Sequence, residues 1–287
     1  MNRRDCLQSL AAVSVLATHP LSAAGAERIR IGLTAVILAD QVAFLSRWSS
    51  YLGAQVGGAV EFVVRDSYES ILNLLRSDQL DAAWICGYPY VRYEADLKLL
   101  AVPLYQGAPL YQSYLIRHRA QQNPIQGWSD LGGRVLAYSD PLSNSGWLVA
   151  QAQLGKAGID PAQLKRAFFA HGHRNVAEAV AAGLAHAGSM DGYVWETMRL
   201  QGMAAVSQTQ VVWRSEPFGF PPLVTRRHTA HALVEPLKQS LLGMAADKVG
   251  RELFGALNLT GFVEGSPALF DSIRRHAQTV PGSGVLA

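Results

Sequence analysis

The chain has 287 residues, of which 49% are hydrophobic and 16% are charged, and its net charge is +3. This composition excludes an intrinsically disordered chain, and the length is sufficient for one large domain or for two lobes with cores of their own. The basic residues are spread along the sequence without a run of five or more, so the chain lacks the footprint of a nucleic-acid-binding protein.

Residues 1–26 have the features of an export signal. Two arginines near the start precede a short apolar segment, and Ala24-Gly25-Ala26 fits a signal-peptidase site. The apolar segment is too short to span a bilayer. We therefore predict a periplasmic protein whose mature chain begins at Glu27. It would be exported by the general secretory route or, because of the paired arginines, by the twin-arginine route.

The first part of the mature chain alternates strands and helices. The hydrophobic pattern predicts strands at 28–33, 60–65 and 82–86, helices at 41–52 and 68–75, and a loop at 34–40. The strand at 82–86 is apolar without alternation, which is typical of burial on both faces of a sheet. Strands that alternate with helices indicate an α/β fold with parallel pairing.

The middle of the chain predicts a second α/β unit. A strand at 110–116 leaves the first unit, and the polar segment 117–128 is interpreted as a crossover. The second unit has predicted strands at 134–139, 167–169 and 187–190 and predicted helices at 146–157 and 174–182.

A second crossover returns the chain to the first unit. It covers the proline-rich residues 211–222 and is followed by helices near 231–254 and 267–277. The predicted division is therefore lobe one from 27–116 and 213–287, and lobe two from 117–212. Two crossovers between two lobes make a hinge, and ligands bind in the cleft between such lobes.

The most informative segment runs from Ser139 to Trp147 and has the sequence SDPLSNSGW. It follows a predicted strand and opens a predicted helix. Small polar side chains at such a place cap the free backbone N–H groups of the helix or leave those groups for an anion. An ordinary helix cap is the alternative. We predict that Ser143, Asn144 and Ser145 form a nest that binds the oxygens of an oxyanion.

This segment resembles the Asp-Pro-x-Ser-Thr-Ser-Gly signature of the periplasmic phosphonate/phosphite-binding proteins, with Asn144 in the place of Thr. These proteins are the solute receptors of ABC importers. Four further segments are similar to motifs of that family: Asp66-Ser67-Tyr68, Asp81 to Val91, His173 to Gly183, and Ala187 to Tyr193.

The resemblance implies a two-lobed type II periplasmic-binding-protein fold with a ligand cleft between the lobes. It also implies a small oxyanion ligand, no catalysed reaction, no cofactor or bound metal, a monomeric receptor, and an ABC permease in the inner membrane as partner. Within the cleft it implies that Tyr68 and His173 contact the ligand, with His171 as a rival for the second role.

Two tyrosines follow the strand at 82–86 and are further candidates for the ligand site. Tyr88 and Tyr90 flank a proline beyond the end of that strand. Ligands of open α/β sheets lie beyond the carboxyl ends of the strands. We therefore expect at least one of these aromatic side chains to face the cleft, the alternative being packing in the core.

Cys86 opens an alternative function. It is the only cysteine after the export signal, so an intramolecular disulfide is excluded, and it ends a strand in the predicted cleft wall. A buried cysteine is most often a small hydrophobic residue. A cleft thiolate would instead bind a soft ligand such as arsenite, as in a periplasmic sensor that signals to a histidine kinase. An enzyme on the same fold is a second alternative, but the cysteine-rich motif expected for it is absent.

Overall fold

The computed structural model describes residues 28–34 and 42–285. The predicted export signal and nearly all of the predicted loop at 34–40 lie outside these residues. Among the described residues, no helix is long and apolar enough to cross a membrane.

The described strands and helices follow one another along the whole chain. The strands are β1 (Ile29–Thr34), β2 (Val60–Arg65), β3 (Ala82–Trp84), β4 (Leu97–Leu104), β5 (Leu110–Tyr111), β6 (Ser113–His118), β7 (Val135–Tyr138), β8 (Arg166–Phe169), β9 (Ala187–Asp191), β10 (Thr209–Arg214), β11 (Phe218–Gly219), β12 (Leu223–Arg226) and β13 (Gly261–Val263). The α-helices are α1 (Val42–Val56), α2 (Tyr68–Arg76), α3 (Gly87–Arg92), α4 (Val149–Lys156), α5 (His173–Ala181), α6 (Gly192–Leu200), α7 (Ala204–Gln208), α8 (His231–Gly243), α9 (Lys248–Leu257) and α10 (Asp271–Thr279). A π-helix covers Asn144–Leu148, and short 3-10 helices cover Trp128–Leu131, Pro161–Gln163, Met244–Ala246 and Pro267–Phe270.

Each lobe is built on its own sheet. The first sheet has six strands in the order β13-β4-β12-β3-β1-β2, and the second has five in the order β10-β6-β9-β7-β8. The central strands β1 and β7 pair in parallel with both neighbours, whereas the strands that come from the crossovers pair antiparallel. Parallel strands covered by helices place their carboxyl ends at one edge, where α/β proteins bind ligands.

The two sheets are joined by a small ribbon. Strand β5 pairs antiparallel with β11, with Tyr111 opposite Phe218 and Leu110 opposite Gly219. The chain leaves the first sheet through β5 and returns to it through β11. This arrangement of two lobes and two crossovers confirms the predicted type II fold.

Some elements differ from the sequence prediction. The strand predicted at 110–116 is divided, because β5 belongs to the ribbon and β6 belongs to the second sheet. The predicted crossovers at 117–128 and 211–222 begin with residues of β6 and β10, which are strands of the second sheet. The lobe limits at residues 116 and 212 stay a prediction.

The lobes are closed on each other. The ring of Tyr88 in α3 stacks on the ring of Trp147, at a centroid distance of 6.0 Å. On another side of the cleft, the hydroxyl of Tyr193 donates to the backbone oxygen of Leu257. Contacts of this kind bury the segment that follows β7, so the predicted anion site lies inside the molecule.

Candidate functional site

The predicted nest is the turn between β7 and α4. Ser143 is its N-cap, and its Oγ accepts a hydrogen bond from the N–H of Gly146 at 2.9 Å. The backbone oxygen of Ser143 accepts from both Trp147 and Leu148, at 3.2 and 3.0 Å, which widens the first turn to a π-helix. The wide turn carries Asn144 and Ser145, and both are fully buried.

Three polar atoms of this turn are buried without a hydrogen-bond partner among the described residues. They are the Oγ of Ser139, the Oγ of Ser145 and the Oδ1 of Asn144. Buried polar groups are nearly always paired, because an unpaired hydroxyl costs about 1–3 kcal/mol. Three unpaired atoms in one turn therefore indicate a site that is built for a ligand.

Ser139 was not among the predicted ligand residues, although it is the first residue of the predicted segment. Ser139 directly follows the carboxyl end of β7, where α/β proteins bind ligands, and this position could have identified it. Ser143 lies at the start of the helical turn, where its hydroxyl oxygen accepts the cap bond, and its contact with a ligand stays a prediction. The free hydroxyls are thus those of Ser139 and Ser145.

A small cavity lies beside this turn and receives residues from both lobes. It is lined by Thr34, Asp66, Tyr68, Ser139, Asp140, Gly172 and His173. None of these lining residues is lysine or arginine, so any anion held here is bound by neutral donors.

Tyr68 lines the cavity from lobe one, and its contact with a ligand stays a prediction. It is the first residue of α2, and its backbone N–H donates to Oδ2 of Asp140 at 3.3 Å. The other oxygen of Asp140 accepts from the N–H of Leu142 at 2.7 Å. Burial raises the pKa of Asp140, which the sequence analysis did not count among the ligand residues. This carboxyl group therefore links the anion turn of lobe two to the start of a helix in lobe one.

His173 is buried in the cavity wall, whereas its rival His171 is exposed. The Nδ1 atom of His173 accepts a hydrogen bond from the N–H of Asp191 at 3.0 Å. Burial lowers the pKa of His173 to about 3, so the ring is neutral and carries its proton on Nε2. His173 can therefore donate one neutral hydrogen bond to a ligand, but not a charge-assisted one.

A close approach of α5 to β9 sets the position of His173. An added Cβ at Gly188 would lie 2.4 Å from Cγ1 of Val176, so only glycine lets the helix pack this near to the strand. The short distance brings the first residue of α5 against the last residue of β9.

Cys86 lies in the cleft, as predicted. Its Sγ accepts a hydrogen bond from the N–H of Asn144 at 3.2 Å and lies 3.9 Å from the hydroxyl of Tyr111. Burial raises the pKa of the thiol, which keeps it protonated at neutral pH. Tyr111, which sequence reasoning missed, accepts a hydrogen bond from Nδ2 of Asn144 at 3.0 Å. The turn of lobe two is thus held against lobe one and the hinge ribbon.

The hydroxyls of Tyr88 and Tyr90 form hydrogen bonds outside the turn that follows β7. The hydroxyl of Tyr88 donates to the backbone oxygen of Ser283 at 2.6 Å, and that of Tyr90 donates to Oε1 of Glu94 at 3.3 Å. The Tyr88 ring lies at the lobe interface, but neither hydroxyl is free for a ligand. The partners of the two hydroxyls lie in the C-terminal segment and just after α3, and the expectation that at least one of the two aromatic side chains faces the cleft stays a prediction, for which the Tyr88 ring against Trp147 is the candidate.

Asp191 is a second buried carboxyl group that sequence reasoning did not include among the ligand residues. It ends β9 and caps α6, since its Oδ1 accepts from the N–H groups of Tyr193 and Val194 at 2.8 and 3.3 Å. Burial raises its pKa to about 7. A carboxyl group with a raised pKa therefore stands next to His173.

Comparison with known proteins adds an independent finding. The model of the family described as the periplasmic substrate-binding protein of ABC phosphonate transporters matches residues 31–270. The chain is also similar to the phosphate-import protein PhnD of Mycolicibacterium smegmatis, with 32% identity over 178 residues. That match covers 58% of this chain and 55% of the relative, so it spans about half the length of that protein.

Solved structures share the fold. The binding-protein component of an ABC phosphonate transporter from Pseudomonas aeruginosa superposes with a TM-score of 0.80 at 21% identity, covering 88% of this chain and 85% of that one. PhnD1 from Prochlorococcus marinus, in complex with methylphosphonate, gives a TM-score of 0.78 at 18% identity, covering 88% and 97% of the two chains. At these identities the likeness supports the two-lobed architecture alone.

Proposed function

This chain belongs to the family of periplasmic substrate-binding proteins of ABC phosphonate transporters, and from that premise we propose that it binds a small phosphorus oxyanion in the closed cleft. The proposal rests on the unpaired hydroxyls of Ser139 and Ser145, which are buried in the turn after β7. Hydroxyl and backbone donors suit an anion that must be bound and then released.

The apolar hinge favours a small ligand without an amine. Phe218 and Phe220 of the return crossover are buried, and their rings lie 6.3 and 5.8 Å from the ring of Tyr111. An acidic residue among residues 218–222 would meet the amine of an aminoalkylphosphonate, and none of these five residues is acidic. Phosphate and methylphosphonate, which the names of the two relatives mention, are both small and lack an amine.

In this proposal the protein delivers its ligand to a transporter. The mature protein would lie in the periplasm, close its lobes around the ligand and present the closed form to a permease of the inner membrane. Closure is a shift between two states that the ligand favours because it contacts both lobes. No reaction is catalysed in this proposal.

Titration calorimetry of the mature protein tests the function. We expect a dissociation constant of about 1 μM or lower for at least one of phosphate, phosphite and methylphosphonate, which corresponds to about 8 kcal/mol of binding free energy. Arsenite serves as the comparison ligand for the sensor alternative. Heat of binding from arsenite alone would contradict the proposal.

Replacing Cys86 by serine is expected to change phosphite affinity by no more than about threefold, since a hydroxyl can accept the same N–H from Asn144 and its bond energy differs little. Calorimetry with phosphite and arsenite measures this. A collapse of arsenite binding in Cys86→Ser, together with no phosphonate binding by the unmodified protein, would favour a ligand held by sulfur.

A further inference from the structure

Two side chains of α6 contact the carboxyl end of α9. Tyr193 and Thr197 lie one helical turn apart in α6, so they share one face of that helix, and both are buried. The hydroxyl of Tyr193 donates to the backbone oxygen of Leu257, the last residue of α9. The Oγ1 atom of Thr197 accepts a hydrogen bond from Nδ2 of Asn258, which ends the helix, at 3.0 Å. These four residues form what we call the α6–α9 contact.

The α6–α9 contact joins the two sheets outside the small cavity. Helix α6 directly follows β9 of the second sheet, whereas α9 leads into β13 of the first. The N–H of Thr260, just before β13, donates to the backbone oxygen of Leu104 in β4 at 2.8 Å, so the end of α9 is fixed to the first sheet. The residues that line the cavity include none of the four. The contact therefore depends on how the two lobes are placed and not on a group in the cavity wall.

Lobe two supplies hydrogen-bond partners that the end of α9 lacks within its own helix. The last carbonyl groups of a helix have no donor inside the helix, and the Tyr193 hydroxyl provides one for Leu257. Burial raises the pKa of Tyr193, so this hydroxyl keeps its proton and remains a donor. Asn258 is left-handed, with a φ of 55°, a conformation that asparagine and glycine tolerate at the end of a helix. Its side chain is thus free to bond across the cleft instead of within α9.

The ring of Tyr193 packs independently of its hydroxyl. It lies edge-on to the rings of Tyr105 and Phe220, at centroid distances of 5.3 and 5.0 Å. Tyr105 follows β4, and Phe220 follows the ribbon strand β11. Phenylalanine at position 193 would keep these ring contacts and lose only the bond to Leu257.

We propose that Tyr193 and Asn258 are positioning residues that hold the lobes closed through the α6–α9 contact, and that they thereby raise the affinity for every ligand by the same factor. This inference rests on the proposed function, because it concerns the closing of the cleft around its ligand. The apparent dissociation constant of a ligand is its intrinsic constant divided by the fraction of protein in the binding-competent state. Bonds that form only between closed lobes increase that fraction, whichever ligand is in the cleft.

Calorimetry of Tyr193→Phe and Asn258→Gly tests the inference. The ligands are the two of phosphate, phosphite and methylphosphonate that the unmodified protein binds most tightly. We expect each variant to bind both ligands about fivefold more weakly, which is the usual effect of one hydrogen bond. The ratio of the two dissociation constants should stay within about twofold of its original value.

The rate of ligand dissociation distinguishes closure from folding. Trp147 lies between the lobes against Tyr88, so its fluorescence can report opening in a stopped-flow experiment. The α6–α9 contact must break before the lobes separate, and we therefore expect dissociation to be about fivefold faster in each variant. A contact that served folding alone would lower the melting temperature of the ligand-free protein and leave the dissociation rate unchanged.

Asn123→Gly is the matched control. Glycine also adopts the left-handed conformation, so α9 should end as before in Asn258→Gly. Asn123 is left-handed as well, with a φ of 49°, but it is exposed on lobe two, and its replacement should leave both affinities unchanged. Unchanged affinities and dissociation rates in both Tyr193→Phe and Asn258→Gly, or a loss confined to one ligand, overturn the inference while the proposed function stands. Failure of all three phosphorus oxyanions to bind the unmodified protein overturns both.

Discussion

Replacing Gly146 by alanine is expected to reduce phosphite affinity by roughly 100-fold or more, which is about 2.7 kcal/mol. An added Cβ at this position would lie 1.8 Å from Oγ of Ser139 and 2.7 Å from its Cβ. Rotation of the hydroxyl relieves the first contact but not the second, so the turn after β7 has to move. That turn is also bonded to Cys86 in the other lobe, and its displacement will therefore oppose closure.

The same overpacking should lower the free energy of unfolding by about 1–3 kcal/mol, and thermal denaturation measures this alongside calorimetry. Gly155→Ala is the matched control. An added Cβ at Gly155 in α4 meets no atom within 4 Å. Alanine favours the helix by up to about 1 kcal/mol over glycine, so stability should hold or rise while affinity is unchanged. A folded Gly146→Ala protein with normal affinity would place the ligand outside this turn.

Local pattern was sufficient for much of the fold. The strand at 60–65 is found at the predicted residues because four of its six residues are apolar and three of those are valine, which favours strands. Helix α3 was missed, since its six residues include Pro89 and are too few to show a helical period, and in the fold they pack against α10. Elements that depend on tertiary packing are not visible in a short window of sequence.

The candidate site, too, could be predicted only in part from local sequence. The turn at 139–147 was singled out because its small polar residues open a helix and resemble a family signature, since such residues alone would equally fit an ordinary helix cap. Which hydroxyl is free was not predictable, because the π-helical first turn assigns the oxygen of Ser143 to the cap. Tyr111 reaches the turn through the hinge ribbon, and Asp191 comes to lie beside His173 because it ends the neighbouring strand β9. The hydroxyl of Tyr88 donates to the backbone oxygen of Ser283, which lies 195 positions later in the chain. A contact this distant in sequence cannot be predicted from a local pattern.

The double replacement of Ser139 and Ser145 by alanine is expected to separate binding from stability. Each lost hydroxyl strands a charged ligand oxygen at about 1.5–3 kcal/mol, so affinity for phosphite should fall by roughly 100-fold or more. The ligand-free protein should be as stable as before or more stable, since two buried hydroxyls without partners are removed.

Ser189→Ala is the contrasting variant, and it decides whether these opposite changes come from the ligand. The Oγ of Ser189 donates to the backbone oxygen of Ser145 at 2.8 Å, so its loss should lower the free energy of unfolding by about 1 kcal/mol. Calorimetry and thermal denaturation of both variants give the comparison. If the double variant loses stability as Ser189→Ala does and keeps its affinity, the two hydroxyls hold the turn together. If affinity falls and stability does not, the two hydroxyls serve to bind the anion.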